Sequence, residues 1–519
     1  LELGIDIGYL DLVLCLGSPK SVARFMQRAG RAGHKLHSKV KAKLIVMDRD
    51  DLVECSLLLK AAIEKRIDRV DIPKNCLDIL SQQIYGMIIQ EQMHIDELYQ
   101  LVKRSYCYHS LNYGDFEEVI KYLAGEYISL EDRYIFAKIW RDKETGMLGR
   151  RGKMARVIYM TNIGTIPDES FVLVKIGERT VGKIDEGFLE KLKSGDVFVL
   201  GGEVYGFKFA GGMTAQVTAS PNRPVNVPSW FSEMLPLSFD LAMEINKFRR
   251  LMDGKFKRKL SKEEILESIQ KYLYVDKKAA EQIHNYCYEQ YQFAGLPSDK
   301  KILIEHFTDR DRRYIIFHTL FGRRVNDCFS RAMALAIGRL QHRDVEVGIT
   351  DNGFYLCTSK SVNVIKALKA LEPVQLRKIL EQAIEKSEVL SRRFRHCAAR
   401  ALMILREYKG RKKRVGRQQI SSKILMNAVR RISENFPILK EARREVLEDL
   451  MDIDKTQWVL EQVGKGEIAI EEVYTTVPSP FSFNLVLGGY SDLIKIEEKQ
   501  EFLKRMHEMI QAKIALGKR

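Results

Sequence analysis

The chain has 519 residues, 45% of them apolar and 30% charged, with a net charge of +16. That length suits three or four domains with real cores, and no apolar run approaches the 18 or so residues that a membrane-spanning helix needs. The N-terminus lacks a basic-then-apolar signal pattern, so composition argues against a membrane partner and predicts a cytoplasmic protein.

Residues 1–8, LELGIDIG, place Gly4 and Asp6 in a turn ahead of the apolar run Leu12, Val13, Leu14, Cys15 and Leu16. The run is long enough for a buried parallel strand, and Gly17, Ser18 and Pro19 close it. Pro19 and Ser21 then open a helix, with Ser21 as N-cap. Gln27 and Arg31 fall four residues apart on one face of it, so two phosphate-seeking groups point the same way. Gly30 and Gly33 remove side-chain bulk where this face ends, leaving room for a backbone or ligand. Arg31 offers a planar five-donor fork suited to phosphate. That is the geometry of an arginine finger; an ordinary basic helix end is the alternative. A second apolar run (Leu44, Ile45, Val46, Met47) follows, giving strand, helix, strand in the order of an α/β nucleotide-binding lobe.

Taken together, LELGIDIG and QRAGRAGH (residues 27–34) resemble motifs V and VI of superfamily 2 helicases, a specific pair at a specific spacing. The resemblance implies that Asp6 meets the nucleotide sugar and that Gln27 and Arg31, the catalytic pair, meet the γ-phosphate. Gly4, Arg28 and His34 complete the implied ATP-binding set. Most of the superfamily ends motif VI with a second arginine, where this chain has His34; the GH ending resembles the large helicase-related family, Lhr. The sequence opens inside motif V, and neither a Walker A loop nor an acidic magnesium box occurs in it. The ligands of ATP and Mg2+ are therefore expected in an N-terminal lobe ahead of Leu1. GERTVGK (residues 177–183) matches G-x-x-x-x-G-K by letter, but Ile184 replaces the Ser or Thr that binds magnesium, and Asp185, Glu186 and Gly187 open no helix. Gly177 and Gly182 read as turn residues between strands.

The lobe, residues 1–68, closes with a helix over 50–67 carrying Leu52, Leu57, Leu58 and Ile63. Past Pro73 an amphipathic helix begins near Asn75, with Leu77, Leu80, Ile84, Met87 and Ile88 on one stripe. Helices over 95–103 and 116–123, an extended stretch over 133–140 and a turn at Thr145 and Gly146 give the layout of a winged helix, residues 69–150. Such a module either reads a groove with its third helix or serves as a packing platform, which is the reading favoured here. From Met154 the period switches to two. Val157, Ile158 and Tyr159, then 171–176, 197–200 and 204–209, are short β-rich runs, which predict a small barrel or sandwich over 151–229.

IWRDKETGMLGRRGK and GTIPDES resemble the Lhr family, and the likeness continues through GDVFVLGG, NVPSW, FGRRVND, FRHCAARALMILREYKGRKKRVGRQQ and PSPFSFNL across essentially the whole chain. It implies an archaeal-type Lhr core with its DEAD/H-associated region. It also implies that Trp230 stacks on a base of the tracked strand; the residue by itself leaves a buried interdomain tryptophan equally open.

Residues 230–519 read as a mainly helical nucleic-acid-binding domain, interrupted by strands over 302–306 and 314–318 and by a hairpin across Asp351, Asn352 and Gly353. Arg323 and Arg324 precede a helix over 325–340, whose positive N-terminus adds to their charge. A phosphate contact and a surface ion pair both remain open there. Between residues 391 and 417, eleven Lys or Arg stand against Glu407 alone, a net of ten of the sixteen excess charges. Arg392, Arg393, Arg411, Lys412, Lys413, Arg414 and Arg417 are the phosphate contacts this predicts, with a solvated basic run as the alternative. Phe481 and Phe483, beside two prolines, read as a packing anchor. The eight cysteines include no C-x-x-C pair, and the nearest ligand pairs, Cys107 with His109 and His396 with Cys397, are read as structural; no zinc site or disulfide framework is expected.

The expected fold is multidomain α/β and α+β: the end of a RecA-like parallel-sheet lobe, a winged helix, a small β-barrel and a largely helical C-terminal domain. The expected function is an ATP-dependent helicase, monomeric, acting on single-stranded DNA or RNA or an RNA:DNA hybrid, with the family implying 3′ to 5′ movement. An ATP-independent binding or annealing module is the alternative, and these 519 residues alone are expected to hydrolyse no ATP.

Overall fold

The computed structural model describes residues 10–32, 40–46, 48–127, 135–166, 171–189, 192, 194–200, 203–211, 214–219, 235–309, 312–343, 345–385, 387–408, 411–412, 415–490, 508 and 512. The chain forms two compact units, each assembled from separate stretches of sequence: residues 1–70, 232–380 and 451–519 in one, and 71–231 and 381–450 in the other.

In the first unit, strand Val13–Leu16 pairs in parallel with Ala42–Ile45, and helix Val22–Ala29 lies between them in sequence. Val13 and Cys15 pack with Ala32, whereas Leu14 and Leu16 are 55% and 75% exposed. The run expected to be buried on both faces is thus buried on one, because alternate side chains of a strand leave its opposite sides. Helix Arg49–Ile63 is capped by Asp48, whose side chain accepts from Asp51 N at 2.8 Å. Its Val53, Leu57, Leu58 and Ala61 share a core with Val22, Phe25 and Ala29 and with helices Phe239–Lys257, Lys262–Leu273 and Lys277–Phe293. Each of those three helices begins on a side-chain cap, Ser238, Ser261 and Asp276, with a full capping box between Ser261 and Glu264.

A five-stranded mixed sheet follows, in the order Glu346–Thr350, Gly353–Thr358, Arg312–His318, Lys301–Asp309, Ala469–Tyr474. The first four are antiparallel and the last is parallel to its neighbour. Gly353 is required in the expected hairpin by close approach: a Cβ there would lie 2.2 Å from the Phe317 carbonyl oxygen. The strand Ala469–Tyr474 falls where only helices were expected. Four of its six residues are exposed, so it has no apolar alternation to read; it is held by backbone pairing and by polar contacts across the ladder, Glu471 with Lys301 at 3.0 Å and Glu472 with His306 at 2.9 Å. Phe481 and Phe483 are buried, with the Phe481 ring 4.6 Å from Tyr286 and Ser479 N donating to Glu305 Oε1 at 2.7 Å.

In the second unit, helices Leu77–Gln90, Ile95–Lys103 and Tyr113–Ala124 stand with a small sheet of Met93–His94, Met147–Arg150 and Ile139–Arg141, the layout expected of a winged helix. Val157, Ile158 and Tyr159, expected in a strand, lie instead in helix Ala155–Asn162. A three-residue run of strand-favouring side chains is too short to decide its own conformation, and distant groups decide it. The Tyr159 ring stands edge-on to Tyr85 at 6.0 Å, and the Asn162 side chain exchanges two 2.9 Å hydrogen bonds with the Glu407 backbone.

The strands of the expected barrel form a five-stranded sheet ordered Arg179–Asp185, Phe171–Ile176, Thr214–Ala219, Glu203–Gly211, Val197–Leu200. Among the described residues no ladder joins its first and last strands, so an open sheet stands where a closed barrel was expected. Gly177, at φ 58°, turns the first hairpin. Gly182 is not a turn residue: it sits within a strand at a register shift, and a Cβ there would meet Leu200 Cδ2 at 2.7 Å. Lys183 pairs with Leu173 in the same ladder, so the end of GERTVGK is strand and not a phosphate loop; a four-residue helix, Glu186–Leu189, does follow where none was expected, but it begins only after the strand ends at Asp185. Among the described residues no helix is long and apolar enough to cross a membrane. All eight cysteines are free.

Candidate nucleotide and nucleic-acid sites

Ser21 caps helix Val22–Ala29 as expected, accepting from Arg24 N at 3.5 Å. The helix stops at Ala29. Gly30 is its C-cap at φ −64°, and Arg31 lies one residue beyond, its N–H donating to Arg28 O at 3.1 Å. The four-residue spacing of Gln27 and Arg31 is therefore carried by a helix end and a tightened turn, not by one continuous face. Gln27 is exposed, and Arg28 and Arg31 are half-buried. Gly30 needs no left-handed backbone, and a Cβ there would stand 3.0 Å from Met26 O. Gly4, Asp6, Gly33, His34 and Trp230 lie outside the described residues.

Helix Arg323–Gln341 begins earlier than expected, so that Arg323 and Arg324 form its first turn. Its positive N-terminus already holds a carboxylate, since Asp351 Oδ1 accepts from Arg323 N at 3.0 Å. Arg324 Nη2 donates to Met451 O at 3.1 Å, and both arginines are half-buried.

The basic run is more internal than its composition implies. On helix Glu388–Arg400, Arg392 is half-buried and Arg393 Nη1 stands 3.7 Å from Glu445 Oε2. Arg395 is 3% exposed. Arg406 Nη2 donates to the carbonyls of Asn162 and Ile163 at 2.8 and 3.1 Å. Arg411 and Lys412 form a short strand paired with Glu407–Tyr408, and Arg417 falls in the first turn of helix Val415–Ile432; Lys413 and Arg414 lie outside the described residues. Several charges counted toward phosphate thus serve the fold.

One cluster was invisible in sequence because its members are hundreds of residues apart. Oxygens of Asp78 and Glu445 and the sulfur of Cys397 converge within 4.8 Å, all buried. Arg400 serves all three: its Nε donates to Asp78 Oδ2 at 2.6 Å, and its Nη2 donates to Cys397 Sγ at 3.4 Å and to Glu445 Oε1. A guanidinium, not a metal ion, is the cation these ligands surround. Burial raises both carboxyls above their ordinary range, and the charge of Arg400 pulls them back.

Next to it, His396 Nε2 accepts from Arg395 Nη2 at 3.2 Å, a bond that requires a neutral ring. Burial, then the charges of Arg395, Arg393, Arg392 and Arg400, lower its pKa from 6.5 to about 3. Unfolded chains would bind this proton below about 6.5 while the folded protein would not, so stability should fall as pH drops through that window. The decrease in melting temperature from pH 7 to pH 5 is expected to be smaller for His396→Gln than for the parent. Equal decreases would show that other groups set the acid limb.

These elements define the class: a multidomain, mixed α/β protein that joins a strand–helix–strand unit and a mixed sheet to a winged helix. Two family profiles match, "Large helicase-related protein, winged helix domain" over residues 60–227 and "DEAD/H associated" over residues 296–482. The chain belongs to the large helicase-related family, Lhr. It is 53% identical over 511 residues to the ATP-dependent helicase Lhr-Core of Methanothermobacter thermautotrophicus, covering 98% of this chain and 59% of that protein. It is 43% identical over 519 residues to the Saccharolobus solfataricus protein of the same name, covering 98% and 59%. The Lhr helicase/uracil glycosylase of Escherichia coli is 30% identical over 507 residues, 95% of this chain and 32% of that one. The solved structure of Mycobacterium smegmatis helicase Lhr bound to ssDNA and AMP-PNP superposes with a TM-score of 0.71 at 25% identity, over 93% of this chain and 57% of that one. The chain thus spans about three-fifths of the length of the archaeal relatives.

Proposed function

We propose that this chain is the part of an ATP-dependent nucleic-acid helicase that carries the arginine finger and much of the strand-binding surface. The observation that carries the reading is its 53% identity, over 98% of its length, to a protein named an ATP-dependent helicase. In this reading Gln27 and Arg31 act on the γ-phosphate, and Gly4, Asp6, Arg28 and His34 line the nucleotide. The residues that hold Mg2+ and the triphosphate belong to a further lobe. Residues 1–68 end a RecA-like lobe, 69–150 are a winged-helix platform, 151–229 a small β-sheet module, and 230–519 the strand-binding region. Trp230 stacks on a base, and Arg323, Arg324, Arg392, Arg393, Arg411, Lys412, Lys413, Arg414 and Arg417 meet phosphates. The strand is single-stranded DNA or RNA, or one strand of an RNA:DNA hybrid, tracked 3′ to 5′ by a monomer.

The reading makes a separable forecast for the 519 residues alone: they bind single-stranded nucleic acid steeply with salt and with little sequence preference, and hydrolyse no ATP. Replacing Arg411, Lys412, Lys413 and Arg414 together by alanine should flatten the plot of log affinity against log salt by about 0.7 for each phosphate no longer neutralised. An unchanged slope would return these residues to a solvated loop, and ATP turnover by the chain alone would overturn the division of labour between lobes.

A further inference from the structure

Three segments far apart in sequence meet at the start of the helix that leads to Arg31, and two aspartates join them. Asp68 Oδ2 accepts from Ser21 Oγ at 2.8 Å and from Ala23 N at 3.1 Å, while its Oδ1 accepts from Ser238 Oγ. Ser21 and Ser238 are the N-caps of helices Val22–Ala29 and Phe239–Lys257. One carboxylate therefore ties together the positive ends of two helices, a placement their dipoles favour. Asp351, in the hairpin turn, holds the third segment. Its Oδ1 accepts from Leu237 N at 2.9 Å and from Arg323 N at 3.0 Å, and its Oδ2 stands 3.7 Å from Lys20 Nζ.

The backbone between these carboxylates has little freedom. Ser238 N donates to Lys20 O at 2.8 Å, and Arg24 Nη1 to Pro236 O at 3.2 Å. Lys20 is held in the left-handed region, φ 66°, with its ammonium 2.9 Å from Glu54 Oε2. Gly322, at φ 87°, is packed so closely that a Cβ would lie 2.5 Å from Leu237 O. Leu237 itself is buried in the core shared with Val22, Phe25 and Ala29. The first residues of the Arg31 helix and the first turn of the Arg323 helix thus share polar partners through residues 236–238, with little slack for one to shift alone.

We propose that Asp68 and Asp351 are positioning residues that transmit displacement of the Arg31 helix to the helix bearing Arg323 and Arg324, coupling ATP turnover to movement of the strand. The inference rests on the function proposed above. Neither aspartate touches nucleotide or strand in that reading, so their loss should spare both binding events and the chemistry while uncoupling them.

The test uses the complete protein and its Asp68→Ala, Asp351→Ala and Asp351→Asn variants. Four quantities are compared: ATP turnover at saturating single-stranded DNA, affinity for that DNA, base pairs opened per ATP hydrolysed, and melting temperature. For both alanine variants, turnover and affinity are expected to stay within about threefold of the parent, while base pairs opened per ATP fall about tenfold. Asp351→Asn keeps an oxygen for Leu237 N and Arg323 N and should recover most of the coupling. Unchanged base pairs per ATP in both alanine variants would overturn the proposal. A proportional fall of turnover, unwinding and melting temperature, unrescued by asparagine, would also overturn it by making the aspartates structural. A parent without DNA-stimulated ATP turnover, or one in which Arg31→Ala leaves turnover intact, would instead overturn the functional reading, and the inference with it.

Discussion

Arg31→Ala in the complete protein is expected to abolish nucleic-acid-stimulated ATP turnover, a loss of about 10³ to 10⁵ in rate if Arg31 acts as arginine fingers do in phosphoryl transfer. The size of the effect follows from where the charge is used. A guanidinium that neutralises the γ-phosphoryl group in the transition state contributes to the barrier and much less to ground-state binding. Affinity for single-stranded DNA should therefore stay within about threefold, and Arg31→Lys should recover little, because a point charge does not reproduce the planar fork. The local structure supports a clean test. Arg31 lies past the C-cap, outside the Val22, Phe25 and Ala29 contacts that anchor the helix, so alanine removes a fork and not a core side chain. Steady-state ATPase, DNA affinity and thermal melting on one set of samples decide it, and an equal loss of turnover and binding would make Arg31 a structural residue.

Arg400→Met should produce the largest loss of stability, about 3 to 5 kcal/mol, the cost typical of removing one partner from a buried ion pair. Asp78 is 1% exposed, and Arg400 lies between it and Glu445. Without the guanidinium both carboxyls are left in a medium that disfavours their charge, so they should take up protons near neutral pH. A carboxyl whose folded pKa is raised contributes stability that is lost as pH rises. The variant should consequently melt closer to the parent at pH 5 than at pH 8. Adding Asp78→Asn and Glu445→Gln to Arg400→Met should restore much of the loss, as neutral groups of similar shape can replace a buried ion cluster. Guanidinium-induced unfolding that left Arg400→Met within about 1 kcal/mol of the parent would show the cluster to be hydrated and inexpensive to break.

Local signals in the sequence were enough wherever a short-range rule decides conformation. Ser21, read as an N-cap, supplies its oxygen to Arg24 N three residues on, a requirement met within one turn of chain; Asp48, Ser238, Ser261 and Asp276, which the sequence reading did not single out, obey the same rule. Asp351, Asn352 and Gly353 define a turn for the same reason, and the apolar stripe of Leu77, Leu80, Ile84 and Ile88 defines a buried helix face. The strings shared with the Lhr family carried the family assignment, because they depend on residue identity and not on geometry. What the sequence alone could not supply lies where a distant group settles a local choice. Val157, Ile158 and Tyr159 are helical because Tyr85 and the Glu407 backbone receive that helix. Ala469–Tyr474 is a strand because Lys301–Asp309 offers an edge to pair with. The charges of Arg395, Arg400 and Arg406 look like the rest of the basic run in a count. Only tertiary structure shows that burial and long-range partners commit them to the fold, and that Asp351, legible as a turn residue, also holds the Arg323 helix and residues 236–238 against the start of the Arg31 helix. Charge and turn chemistry are properties of single residues, whereas desolvation and partner choice are properties of the packed chain.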